Sequence, residues 1–231
     1  MFSTMTEHIQ VANHVVDVEL GWTFLVEGAR RSAGIVRWYD CAGTNEVTAA
    51  AAVNLESLGR LACLGVCLPA DAAGSVVDMS PSAPWASVPV EARLADADPA
   101  CSDGLFNAAD ALHRHFSAAV PRGSASVVSA LLHLSRPGLF PVLDLPVRRL
   151  YNEPAQRAWG AHQGLATSQT SRSYWQVIRD DVLAAEGVIA SWRVRLAASE
   201  AIEEKRVATL SDIRLWEIMA RGLGSESPAH S

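Results

Sequence analysis

Apolar residues recur at helical spacing through most of the chain. Leu105 to Val120 shows it best, with Leu105, Ala109, Leu112 and Phe116 on one stripe and His113 and His115 off it. Three further segments follow the same period near the C-terminus. They are Ser173 to Ala185 (Trp175, Ile178, Val182), Val188 to Lys205 (Ile189, Trp192, Leu196) and Leu210 to Arg221. Thr209 or Ser211 would cap the last, and Gly222-Leu223-Gly224 would stop it. Toward the N-terminus, His14 to Arg30 carries apolar residues at 15, 18, 22, 25 and 26, with Gly28 near its end. Shorter helices are predicted for Thr48 to Val53, Leu55 to Cys67, about 70 to 79, and 88 to 96 with Val90 and Leu94 inward. Residues 1 to 13 have no period and read as a frayed start. Gly34 to Asp40, rich in β-branched and aromatic residues, reads as a short strand or an extended arm. Prolines make 80 to 89 a loop, 152 to 170 is a polar gap interrupted by Trp159, and the tail 225 to 231 reads as disordered. These segments predict an all-α, or nearly all-α, single globular domain over 14 to 224, with a signature core at 105 to 222.

The stretch from Ser129 to Tyr151 organises the rest. Its first half is a helix that must stop at Arg136-Pro137, because the residue before a proline is pushed out of the helical region. Phe140-Pro141-Val142-Leu143 then reads as a short buried crossing. Asp144 stands where a helix N-cap belongs, with Pro146 tolerated in the first turn of the next helix.

Composition narrows the functional classes. The 231 residues are 49% hydrophobic and 19% charged, with a formal net charge of −6, as in an ordinary globular protein. That acidic balance weighs against a protein whose main task is to grip a nucleic-acid backbone. Lys205 is the only lysine, and it lies in a charged helical run, so a lysine-dependent mechanism is not expected. Cys41, Cys63, Cys67 and Cys101 lack the spacing of a zinc site and read as buried free thiols in a reducing compartment. No basic leader and no apolar run near ~20 residues is present, so the chain reads as cytoplasmic and free of membrane.

Three blocks carry a resemblance to an uncharacterised, mostly actinobacterial family defined only as a domain of unknown function. They are Trp38-Tyr39-Asp40 with Val47-Thr48, then Leu131-Leu132-His133-Leu134-Ser135-Arg136-Pro137 through Pro141-Val142-Leu143-Asp144 to Val147, and Leu210 to Met219. The likeness spans about residues 34 to 222. The central block departs from the family pattern at Ala130, where a lysine is usual, and at Leu145, where a serine is usual. Pro141 to Leu150 is also distantly similar to helix-hairpin-helix DNA glycosylases, in which an extended segment leads to an aspartate that opens the next helix. That likeness implies a glycosylase-like helical scaffold, with Asp144 stabilising cationic charge on a sugar or activating a water. The glycine-bearing DNA-gripping hairpin and the catalytic lysine of the bifunctional members have no counterpart here. Pro121-Arg122-Gly123-Ser124-Ala125-Ser126 is at best a remnant of the hairpin.

The candidate site residues follow from these blocks. Asp144 is the candidate catalytic group, although a carboxylate at a helix start is already explained by capping, worth ~1 kcal/mol. Arg136, Arg148 and Arg149 form the densest basic group and are candidates for a phosphate or ligand. Trp38, Tyr39 and Asp40 could line a pocket or stack on a base. His113, His115 and His133 could meet as metal ligands only through tertiary packing, so neither a metal nor a cofactor is expected. The leading expectation is a non-catalytic binding or interaction protein of unknown ligand. The alternative is a base-excision-type enzyme using Asp144, with nucleic acid as its partner.

Overall fold

The computed structural model describes residues 7–40, 53–120, 125–161 and 171–226, and their regular backbone is almost entirely helical. The only strands among the described residues, β1 His8–Val11 and β2 His14–Asp17, pair antiparallel, with Ile9 opposite Val16. Then come α1 Val18–Arg31 and α2 Ala33–Ile35, the latter continued by a π-helical turn over Val36–Asp40. α3 Leu55–Leu61 and α4 Ala70–Met79 are followed by three 3-10 turns at Ser80–Ser82, Trp85–Ser87 and Leu94–Asp96. The remaining helices are α5 Leu105–Ser117, α6 Ala125–Ser135, α7 Leu145–Ala161, α8 Ser171–Ala184, α9 Glu186–Ala198, α10 Ile202–Ala208 and α11 Asp212–Glu226. The all-α reading therefore stands, relieved by one small hairpin.

The chain folds into two compact units, one of Ala33–Leu143 and the other of Met1–Ser32 with Asp144–Ser231. In the second of these, α11 is the central helix. Every residue from Ile213 to Ala220 is buried, and α1, α7, α8 and α9 pack around it. Gly28 of α1 lets that helix approach closely, since a Cβ there would lie 2.7 Å from the Ile218 side chain. Trp175, Trp192 and Trp216 all point inward, as their spacing predicts. Arg214 and Glu217 of α11 are buried together and pair at 3.1 Å, so neither charge is left alone in the core.

Several predicted boundaries shift, each for a local reason. Within the expected frayed start, residues 8 to 13 instead form the first strand and the turn of the β-hairpin, with Ala12 and Asn13 at φ 51° and 68°, a primed turn that suits strand twist. Residues 1 to 6 lie outside the described residues. His14–Asp17 accordingly belongs to a strand. α1 begins at Val18 because the Asp17 side chain accepts the Glu19 and Leu20 amides. Gly34–Asp40 is helical, not extended. α7 runs through the expected gap to Ala161 with Pro154 inside it. The single helix expected over Val188 to Lys205 is two, since Ser199 is extended and its hydroxyl accepts the Ala201 amide. The stop expected at Gly222–Gly224 is overridden by packing. A Cβ at Gly224 would come within 2.6 Å of the Pro146 carbonyl oxygen, so that glycine serves close approach inside a continuing helix. The helix expected at 88 to 96 shrinks to the Leu94–Asp96 turn, with Leu94 buried and Val90 only half-buried. The Ala-rich segment at Thr48, the Ser124 cap and the last five residues lie outside the described residues.

In the Ala33–Leu143 unit, α6 is the most deeply buried helix, with every residue from Val128 to His133 inaccessible. α3 and α5 pack against it. α6 ends at Ser135 ahead of Pro137, and Phe140 to Leu143 form the buried non-helical crossing that the sequence predicts.

Candidate functional site

Two of the signature blocks meet inside the Ala33–Leu143 unit. The π-helical turn aims Tyr39 and the Asp40 carboxyl inward and leaves Arg37 and Trp38 outside. Tyr39 stacks on His133 with centroids 5.8 Å apart, and its hydroxyl donates to the Ala130 carbonyl at 2.5 Å. Arg60 donates to the Tyr39 carbonyl. The Asp40 side chain is 1% exposed, and its Oδ1 lies 3.5 Å from His133 Nε2. A carbonyl can only accept, so His133 Nδ1 donates to Phe140 O at 2.8 Å. The imidazole is thereby bracketed between the π-helical turn and the crossing. Trp38, by contrast, is 56% exposed, with the Arg37 guanidinium 5.0 Å from its ring centre.

Arg136 continues this scaffold. It is 3% exposed, with Nε donating to Val88 O at 2.7 Å and Nη1 to Ser135 O at 2.8 Å, and its guanidinium lies over Trp85. Burial pushes its pKa below the ordinary value, against the pull of Glu91. Gly138 O accepts the Leu94 amide at 2.8 Å, and a Cβ on Gly138 would come within 2.8 Å of Ala92 O. The Arg136-Pro137-Gly138 turn therefore fixes the backbone of residues 88 to 94 from behind.

That backbone forms one wall of an open groove of about 680 Å³. The opposite wall is the start of α5, with Gly104, Leu105, Asn107 and Ala108. The Asn107 amide donates to the Cys101 and Ser102 carbonyls and so holds the turn that leads into the helix. Glu91, Asp96 and Asp103 line the groove, and none of its lining residues is basic. The groove was not legible in the sequence, because its walls come from a proline loop and a helix start that carry no period.

The other candidate residues lie in the second unit. Asp144 Oδ1 accepts the Val147 amide at 3.1 Å, the cap that the sequence predicts. Its Oδ2 lies 2.6 Å from Arg221 Nη2 of α11, and its side chain is 28% exposed. Arg148 and Arg149 are exposed on the first turns of α7, in a different unit from Arg136. The same unit holds a network that the sequence reading missed. Trp216 Nε1 donates to the Tyr151 hydroxyl at 2.7 Å, which donates to Asp181 Oδ2 at 2.8 Å, and the Ala12 amide donates to the same oxygen at 2.7 Å. Burial raises the Asp181 pKa to about 6, outweighing the two hydrogen bonds, and Asp180 adds to the rise. Burial also lifts the Tyr151 hydroxyl well above its ordinary range, with Asp181 adding to it. The available signal was an aspartate on the Ile178, Val182 and Ala185 stripe.

The histidines and cysteines fall apart as a group. His113 is buried and its Nδ1 faces Ser117 Oγ, a correction to its placement off the stripe, while His115 Nε2 bonds Met79 O. Cys63, Cys67 and Cys101 are exposed, not buried. α3 gives way to a 3-10 turn and the left-handed Gly65, so Cys63 and Cys67 lie beyond the packed helix. Cys41 lies outside the described residues. No group of His, Cys, Asp or Glu able to hold a metal ion occurs among the described residues, nor does a helix long and apolar enough to cross a membrane.

Together these features define a helical protein whose buried signature residues brace an open, acidic groove. Residues 35–224 match a family of unknown function, DUF6308, and the chain belongs to it. That match takes in the whole π-helical turn, the whole groove and the Asp144 cap. No curated protein and no solved structure matches the chain.

Proposed function

We propose that the protein acts by binding rather than by chemistry of its own, and that the groove between residues 88–94 and the start of α5 receives its ligand. The observation that carries this reading is the pairing of that groove with its anchor. Buried Arg136, together with Gly138, fixes the 88–94 backbone on which Glu91 stands, so this carboxylate rests on a braced wall rather than a loose loop. Three carboxylates without a basic neighbour on the lining select for positive charge, so the ligand is a cation or presents a cationic group. In this reading the glycosylase-like pattern around Asp144 is a matter of scaffold.

The alternative is a base-excision-type enzyme. It draws support from the exposure of Arg148 and Arg149 beside a partly exposed Asp144 at the start of α7. Both Asp144 oxygens already have partners within the protein, which favours the binding reading.

Calorimetric titration with spermidine and with a short oligolysine peptide tests the proposal. Salt-sensitive binding that disappears in the combined Glu91→Gln, Asp96→Asn, Asp103→Asn variant, with the melting temperature retained, is the expected result. Binding that survives in that variant would remove the groove from consideration. A parallel titration with short duplexes, with and without an abasic site, addresses the alternative. A lesion preference that Asp144→Asn abolishes without unfolding would replace binding with catalysis.

A further inference from the structure

The turn that follows α3 is left-handed and carries a cysteine on either side. Gly65 adopts φ 70°, its amide donates to Ala62 O at 3.0 Å, and the Val66 amide donates to Leu61 O at 3.2 Å. This paired closure is a Schellman motif, which ends a helix and folds the next residues back over its last turn. Along the segment Leu64, Val66 and Leu68 are half-buried, whereas Cys63, Gly65 and Cys67 are exposed. The alternation sets both sulfurs on the outer side of one turn, and the exposed residue between them is a glycine with no side chain to keep them apart. Both are free thiols.

We propose that Cys63 and Cys67 form a thiol–disulfide couple that low-molecular-weight disulfides oxidise. Both sulfurs are open to a dissolved oxidant, and each has a second thiol on the same side of the turn to resolve a mixed disulfide. The backbone leaves room for the sulfurs to meet. Among the described residues neither the Cys67 nor the Leu68 amide donates to a backbone carbonyl, so this approach to α4 can adjust to disulfide geometry. Cys101 is exposed as well, but it stands alone in its segment and can only be capped.

The exchange runs in two steps. One protein thiolate attacks a sulfur of the small disulfide, whose S–S bond breaks, and a small thiol leaves with the proton. The other thiolate then attacks the protein sulfur of the mixed disulfide, closes the Cys63–Cys67 bond and releases the second small thiol. Two protein thiols are oxidised, one small disulfide is reduced, and the chain loses two hydrogens. The bridge ties the end of α3 to the approach to α4, beside the π-helical turn against which the 62–64 turn packs.

The full chain, equilibrated with mixtures of reduced and oxidised glutathione, acid-quenched and cut with trypsin, reads the couple by mass. Cleavage at arginine places Cys63 and Cys67 together on Leu61–Arg93, Cys101 on Leu94–Arg114 and Cys41 on Trp38–Arg60. Leu61–Arg93 is expected to lose two hydrogens and carry no glutathione, whereas Leu94–Arg114 takes up one glutathione. In Cys67→Ser the first peptide should keep its hydrogens and carry a single glutathione on Cys63. The equilibrium constant for bridging should be at least severalfold larger in the native chain than in the same chain in urea, because the turn already holds both thiols on one side. Glutathione on both cysteines of Leu61–Arg93 without a bridged form overturns the proposal. So does a bridging constant no larger in the native chain than in urea.

Discussion

Arg221 Nη2 lies 2.6 Å from Asp144 Oδ2, so the carboxylate that opens α7 is tied to α11 as well as to its own helix. Capping and ion pairing are separable by substitution. Asparagine caps as well as aspartate but carries no charge, so Asp144→Asn removes only the pair, a loss of roughly 1 kcal/mol for groups that are partly exposed. Alanine removes both, a loss of roughly 2 kcal/mol. The melting temperature should therefore fall by ~2–4 °C for asparagine and by about twice that for alanine. Equal losses for the two variants would show that the cap contributes nothing, and an asparagine variant as stable as the wild type would show that the Arg221 contact contributes nothing.

How much of this was legible in the sequence depends on which physical rule governed each segment. The α6 stop at Pro137, the Phe140–Leu143 crossing and the Asp144 cap follow from local chemistry, and each is found as predicted. The inward tryptophans follow from helical period. The hairpin was missed because its turn is made by Ala12 and Asn13, without the glycine that usually marks a primed turn. The π-helical turn was missed because β-branched and aromatic residues favour strands, and here tertiary contacts of Tyr39 and Asp40 override that preference. Of the candidate site, the sequence named Asp40 and Arg136 but not their roles. His133 beneath Tyr39, and Val88 beside Arg136, are juxtapositions that only the folded chain supplies.

Close approach at Gly28 gives a sharp contrast with glycines in open space. An added Cβ would press on the Ile218 side chain at 2.7 Å and on its backbone oxygen at 3.0 Å, and the backbone cannot yield cheaply. Overpacking outweighs the better helix propensity of alanine, so Gly28→Ala should cost about 1–2 kcal/mol. Gly74 of α4 has nothing within 4 Å of the same atom. Gly74→Ala should stabilise by about 0.5–1 kcal/mol, and urea denaturation of the two variants checks the opposite signs.

The bracket around His133 should show up as non-additivity. His133→Ala removes a buried ring that stacks on Tyr39, bonds Phe140 O and faces Asp40, at a cost of about 3 kcal/mol. Asp40→Ala alone is also destabilising. If the two side chains interact across their 3.5 Å gap, the double variant loses less than the sum, by ~1 kcal/mol or more. Strict additivity in a double-mutant cycle would mean that the pair is packed together without energetic coupling.

Asp181 makes a prediction about pH whose sign can be fixed in advance. Its folded pKa of about 6 lies above the ordinary 3.8, so the folded chain holds this proton more tightly than the unfolded chain does. The resulting stabilisation is complete below about pH 4 and is lost as the pH rises through 6. The shift of about two units corresponds to at most ~3 kcal/mol. Asp181→Asn keeps an oxygen for the Ala12 amide and the Tyr151 hydroxyl but cannot ionise. The wild type should therefore lose stability relative to Asp181→Asn between pH 4 and 7, in urea unfolding curves taken at each pH. A difference that stays flat across that range would mean that Asp181 titrates alike in the folded and unfolded chains. A wild type that gains on the variant as the pH rises would mean that the Ala12 and Tyr151 hydrogen bonds to the ionised carboxylate outweigh its burial.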